Sequence, residues 1–354
     1  MTIGIYTKAV NHFIETLAYF ISLGGRFKVV LITDDTGGVP SSEHPWCLKR
    51  LKNLKTIEIV LPAGPVHKLD WLYIHISGNY PLWNKNLNNW LRPAKKVGCL
   101  RESHYRGGWK AAARELIYTF PYYLFAQSIV LQDSKGTWHP YFSIRNKYFY
   151  PPSPHPQFFV NKNYGKSLLN PPVEEAERRA FRFVFIGSKN PAERGKLLQR
   201  LRNKLSGMKN IILTDVFPPV NMPVNKINVL WIEYDNQSQK RGLNPAIYAQ
   251  ALGKSDFCIC PLGWGGNWTH RVPESLLRGT IPILEDEKRY NIGLKDMETC
   301  VVVKGGNWAE AIEKAYYIDY PRVKEMRLNV MKLRKRCLLP HAAALQLRKA
   351  LRLE

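Results

Sequence analysis

Short apolar runs recur along this chain of 354 residues, each closing on a polar or glycine-bearing turn and followed by a stretch with helical spacing. In the first half the runs at 3–6, 29–33, 56–61, 71–76, 96–100 and 128–131 read as strands, with helices at 11–23, 82–91 and 109–118. The runs are apolar on both faces and alternate with helices, which is the pattern of a parallel sheet covered on both sides. Between residues 150 and 172 the pattern breaks, because Pro151, Pro152, Pro154, Pro156, Pro171 and Pro172 remove donors and fix the backbone. A second series then begins, with strands at 181–186, 210–214, 228–232, 257–260, 280–284 and 301–303 and helices at 192–205 and 245–252. The expectation is two α/β domains, 1–165 and 166–335, with a basic helix over 336–354 packing back towards the first. A chain of this length exceeds what one hydrophobic core serves.

Charge supplies the next constraint. Lysine and arginine number 52 against 28 aspartates and glutamates, a formal charge of +24. Such an excess points to an anionic partner: nucleic acid, an anionic lipid surface or an anionic polymer. The basic residues are spread through the chain and thicken towards its end, at Arg322, Lys324, Arg327, Lys332, Arg334, Lys335, Arg336, Arg348, Lys349 and Arg352. Spread charge argues for a folded basic face over a disordered arm. No apolar run approaches the ~18 residues of a spanning helix. The start, Met-Thr-Ile-Gly-Ile-Tyr-Thr, goes straight into a strand-like segment without a secretory signal pattern. The six cysteines are scattered and read as buried apolar side chains of a reducing, cytoplasmic compartment.

The densest chemistry lies at 256–284, D-F-C-I-C-P-L-G-W-G-G-N-W-T-H-R-V-P-E-S-L-L-R-G-T-I-P-I-L. It reads as strand, glycine-rich turn, short helix and strand. Pro261 ends the first strand. Gly263, Gly265 and Gly266 let backbone approach a ligand closely. Asn267 or Thr269 can cap a helix that starts near His270, provided that Pro273 lies in its first turn. Gly279 is placed to end it. Free N–H groups at such a helix start favour an anion. Arg271 beside them suits a diphosphate. Glu274, one turn on, shares its face and can accept from two ribose hydroxyls; it is also spaced to pair with Arg278.

These residues resemble the donor-binding segment of exostosin-like glycosyltransferases, whose pattern is F-C-L-C-P-x-G, a variable stretch, then R-x-x-E-A-L-x-x-G-x-I-P-V-I. A weaker match covers Phe183 to Ser188 with Arg194 downstream, and the first half matches in layout alone. Pro273 departs from the family's bulky apolar residue. The resemblance implies a GT-B fold, two Rossmann-like domains facing across a cleft, and transfer of a sugar from a nucleotide-sugar donor. It implies that Arg271 contacts the donor phosphates and Glu274 the ribose, that Gly263, Gly265 and Gly266 flank the diphosphate, and that Gly187, Ser188 and Arg194 face the donor from the first strand–helix turn. Tyr234 lies where a base-binding loop would run. It implies no metal and no cofactor, with basic side chains and backbone dipoles neutralising the leaving group. Proline at 282, where many retaining relatives carry a second glutamate, favours inversion.

An inverting transfer needs a base on the acceptor hydroxyl. Glu102 and His104 follow a core strand and are the best placed, ahead of Asp34, Asp35, His75 and Asp133. His75 reads as a core histidine and Asp34 with Asp35 as a turn before Gly37-Gly38. The expected acceptor is a glycan or lipid-linked glycan of anionic character, in surface-polysaccharide assembly on the inner face of a membrane. Two other classes fit the charge: a nucleic-acid-binding protein, for which the chain offers no known recognition motif, and a glycan-binding relative without turnover.

Overall fold

The computed structural model describes residues 1–8, 10, 12–34, 45–77, 85–102, 126–131, 147–149, 168–169, 178–189, 192–217, 226–234, 244–262, 269–290 and 292–354. Contacts divide the chain into two compact units, one of Met1–Pro151 with Pro340–Glu354 and one of Pro152–Leu339.

The first unit is built on β1 (Thr2–Tyr6), α1 (His12–Ser22), β2 (Lys28–Ile32), α2 (Pro45–Lys52), β3 (Ile57–Val60), β4 (Trp71–Ser77), α3 (Lys85–Leu91), β5 (Val97–Glu102), β6 (Ser128–Leu131) and β7 (Lys147–Phe149). Its sheet runs β3-β2-β1-β4-β5-β6-β7 with every pairing parallel. β1 sits where the order reverses, the arrangement of a Rossmann-like sheet. Ile3, Ile5, Val29, Leu31 and Leu72 are fully buried, which is why these strands read as unbroken apolar runs. The predicted strands are all present. α2 and β7 went unforeseen. α2 is a Lys- and Arg-rich segment, PWCLKRLK, of low mean hydropathy. Its place is fixed by a tertiary pair: Arg50 donates from Nε and Nη2 to the buried Glu15 carboxylate of α1, at 2.5 and 2.6 Å. His75 is buried and its Nδ1 lies 2.8 Å from the Thr7 hydroxyl, as a core histidine should.

The second unit comprises β8 (Phe181–Ser188), α4 (Ala192–Ser206), β9 (Ile211–Thr214), β10 (Ile227–Tyr234), α5 (Pro245–Gly253), β11 (Ser255–Ile259), α6 (Arg271–Leu277), β12 (Ile281–Leu284), β13 (Val301–Val302), α7 (Trp308–Tyr317) and α8 (Tyr320–Leu333). Its parallel sheet runs β13-β12-β11-β8-β10-β9. The chain leaves β8 towards one edge and then crosses to β11 on the other side, so the switch point lies between β8 and β11. Every residue of β8 is buried. Phe183 and Phe257 pack across that junction as a tilted pair, with ring centroids 5.7 Å apart.

The last helix, α9 (Pro340–Ala350), belongs to the first unit. Leu347 and Leu351 are fully buried. Arg348 donates from Nη2 to the carbonyls of Ile21, at 3.1 Å, and of Leu23, and its guanidinium lies 4.9 Å from the Phe27 ring centroid. A cation on the open carbonyls at the end of α1 satisfies them and complements the helix dipole. The Tyr73 hydroxyl of β4 donates to the Leu351 carbonyl. Among the described residues no helix is long and apolar enough to cross a membrane.

Candidate functional site

The carboxyl ends of the second unit's strands gather the predicted donor-binding residues. Gly187 and Ser188 close β8, and Ser188 lies opposite Tyr234, the last residue of β10. The Lys189 N–H donates to the Tyr234 carbonyl at 3.4 Å. β11 leads into Cys260-Pro261-Leu262, α6 starts at Arg271, and β12 delivers Glu285 one residue past its end. In an open parallel sheet this edge, at the switch point, is where ligands bind.

Two arginines meet on one aromatic ring here. The Arg271 and Arg194 guanidinium carbons lie 5.1 and 5.9 Å from the Phe185 ring centroid. Arg271 is anchored by one bond, Nε donating to the Ile186 carbonyl at 2.9 Å. Gly187 leaves room for it, since a Cβ there would stand 1.8 Å from Arg271 Nη2. Arg194, in the first turn of α4, is 9% exposed, and its Nε and Nη2 are buried without a hydrogen-bond partner among the described residues. Burial first, and the Arg271 charge second, bring its pKa down to about 9. Among the described residues neither guanidinium has a carboxylate within ion-pair distance. Two cations held together with unsatisfied donors are suited to an anion.

The helix behind them has the expected form. Pro273 falls in the first turn of α6, where its missing N–H costs no hydrogen bond. His270 precedes the helix without a side-chain cap; the Thr269 hydroxyl instead accepts from the Arg271 N–H at 3.5 Å. The buried Tyr290 hydroxyl fixes this turn by accepting from the Thr269 N–H at 3.1 Å. Gly279 has φ +65°, with Gly279 N–H to the Leu276 carbonyl at 3.1 Å and Thr280 N–H to the Ser275 carbonyl at 2.9 Å. That is a Schellman ending, and the left-handed residue is glycine for steric reasons. Arg278 donates from Nε to the Ala249 carbonyl at 2.9 Å.

Glu274 is 5% exposed, and its Oε2 accepts from the Tyr248 hydroxyl of α5 at 2.7 Å. Burial, then the Glu274 carboxylate, hold the Tyr248 phenol well above its usual range. Glu285 Oε1 accepts from the Leu262 N–H at 3.3 Å, while its Oε2 is buried without a hydrogen-bond partner among the described residues. Burial pushes the Glu285 carboxyl upward. Glu233, beside Tyr234, accepts from Trp231 Nε1 at 2.6 Å and pairs with Lys189 Nζ at 3.0 Å.

Gly187, Ser188, Arg194, Tyr234, Arg271 and Glu274 thus lie at or just beyond one sheet edge. Gly263, Gly265, Gly266 and His104 lie outside the described residues. Glu102 is the last residue of β5 in the first unit. Phe185, Tyr248, Tyr290 and Glu285 went unforeseen. Of these Glu285 carried a signal, since an acidic residue directly after a core strand marks a ligand-facing edge. Tyr248 and Tyr290 act by tertiary contacts that no local spacing announces.

No family model matches the sequence, and no curated protein matches it. Solved structures do. A glycosyltransferase from Rickettsia africae is similar at 13% identity, with a TM-score of 0.57 over 99% of this chain and 97% of that one. Sucrose-phosphate synthase from Thermosynechococcus elongatus has 13% identity and a TM-score of 0.55 over 100% and 98%. Anabaena HepE in complex with UDP has 10% identity and a TM-score of 0.55 over the whole of both chains, 100% and 100%. The fold is therefore GT-B, built from two Rossmann-like domains.

Proposed function

We propose that this chain is a glycosyltransferase of the exostosin-like kind, moving a sugar from a nucleotide-sugar donor to a glycan or lipid-linked glycan. The observation that carries the reading is the pair Arg194–Arg271 on Phe185, with unsatisfied donors at the carboxyl ends of a parallel sheet. A nucleoside diphosphate supplies the negative charge and the acceptor oxygens that this pair lacks. The UDP bound by HepE, on the same fold, supports that choice.

In the reaction the acceptor hydroxyl oxygen bonds to the anomeric carbon while the bond from that carbon to the phosphate oxygen breaks. The electron pair leaves on the diphosphate, where Arg194 and Arg271 oppose the growing charge. The acceptor proton passes to a base, Glu102 or His104, and attack from the far side inverts the anomeric centre. The transfer proceeds without a metal. The excess of cationic residues, +24 overall, suits an anionic acceptor presented at the inner surface of a membrane.

A thermal-shift panel of UDP-, GDP-, CMP- and dTDP-sugars tests the reading, with Arg271→Ala and Glu274→Ala as controls. At least one nucleotide raises the melting temperature of the parent protein, and both variants lose most of the effect. No stabilisation by any nucleotide refutes it. For the acceptor step, the anomeric configuration of the product decides between inversion and retention.

A further inference from the structure

We propose that Glu285 reads the transferred sugar: its Oε2 accepts from ring hydroxyls of the donor and selects uncharged, hydroxylated sugars over acidic ones. The inference rests on the donor-binding reading above and deepens it.

Position comes first. Glu285 stands directly after β12, on the sheet edge that holds Arg194 and Arg271, and its charge interacts with that of Arg194. A diphosphate on the arginine pair places the sugar one bond beyond the leaving phosphate, within reach of a side chain on the same edge. Valence comes second. The carboxylate has two oxygens; Oε1 accepts from the Leu262 N–H at 3.3 Å, and the Glu285 N–H also acts on the carboxylate. The other, Oε2, is buried and has no hydrogen-bond partner among the described residues. An unpaired buried acceptor is destabilising unless a donor reaches it. A phosphate offers no donor and repels the carboxylate, whereas a sugar hydroxyl donates. Arg289 and Arg194 act on Glu285 through their charge, and among the described residues neither donates a hydrogen bond to Oε2; Arg289 Nε donates to Asp286 Oδ2 at 3.2 Å. The same charge disfavours a uronate, whose carboxylate would meet Glu285 head-on.

Calorimetry with UDP, UDP-glucose and UDP-glucuronate, and with GDP and GDP-mannose, on the parent chain, Glu285→Ala and Glu285→Gln tests this. Expected for Glu285→Ala is an affinity for the nucleoside diphosphate within about twofold of the parent, with a loss of about tenfold for the neutral sugar nucleotide. Glu285→Gln, which keeps an acceptor and drops the charge, retains part of the neutral-sugar affinity and binds UDP-glucuronate better than the parent does. An equal fall for UDP and UDP-glucose makes Glu285 a support for the Leu262 turn alone and overturns the proposal. Unchanged affinities in both variants overturn it as well. Failure of the parent to bind any of the five nucleotides removes the donor-binding reading itself, an outcome separable from the other two.

Discussion

Replacing Arg194 by methionine should make the protein more stable and unable to bind nucleotide. The guanidinium is nearly buried, and two of its nitrogens have no hydrogen-bond partner among the described residues. Its pKa falls from the usual ~12.5 to about 9, a difference of ~3.5, which at ~1.4 kcal/mol for each tenfold change is a cost of about 5 kcal/mol. Local relaxation and the lost stacking on Phe185, worth ~1 kcal/mol, take back more than half of that. A net gain of roughly 2 kcal/mol remains, or about 4–8 °C in a domain of this size. The sign over pH follows from the direction of the shift. Below about pH 9 the group is charged in both the folded and the unfolded chain, so the cost is fully present at pH 7. Above about pH 9 the unfolded chain holds the proton more tightly, and the parent recovers stability relative to the variant as pH rises. Calorimetric melting of both proteins at pH 7 and pH 10 measures this, and titration with the nucleotide found by the panel measures affinity, which should fall ~10–100-fold. A variant that melts at or below the parent at pH 7 would refute the claim that two unsatisfied cations are held together for a ligand.

Gly187→Ala puts a Cβ where Arg271 Nη2 now lies, 1.8 Å away, so the guanidinium must leave the Ile186 carbonyl; nucleotide affinity should drop at least ~10-fold with the fold intact by circular dichroism. Unchanged affinity would mean that Arg271 binds from another position. Deleting Pro340–Glu354 strips α1 of the Arg348 contacts and uncovers Leu347 and Leu351; hydrogen exchange in α1 and β4 should rise to that of an opened unit, while β8 and β11 keep their protection.

Local sequence carried most of the architecture. Runs such as 3–6, 29–33 and 181–186 are buried on both faces, so apolarity alone marks them, and Pro273 and Gly279 bracket α6 by backbone sterics that one residue decides. What escaped depends on partners distant in the chain. α2 is held by Arg50 on Glu15, thirty-five positions away, and its own composition resembles a solvated loop. At the site, Arg194 and Arg271 were legible as types and positions. Their meeting on Phe185 required the sheet to be assembled. Tyr248 became part of the site only through its bond to Glu274, across two elements.

The return of α9 has a consequence for biosynthesis. The second unit is contiguous, Pro152–Leu339, and can complete its core while the ribosome still holds the tail. Most of the first unit is translated before the second, yet Phe27 and Tyr73 receive their partners from Arg348 and Leu351, which are made after it. The first unit's sheet must therefore wait, unfinished, through the synthesis of the second unit, and a stop just before Pro340 would leave the first unit incomplete beside a whole second one.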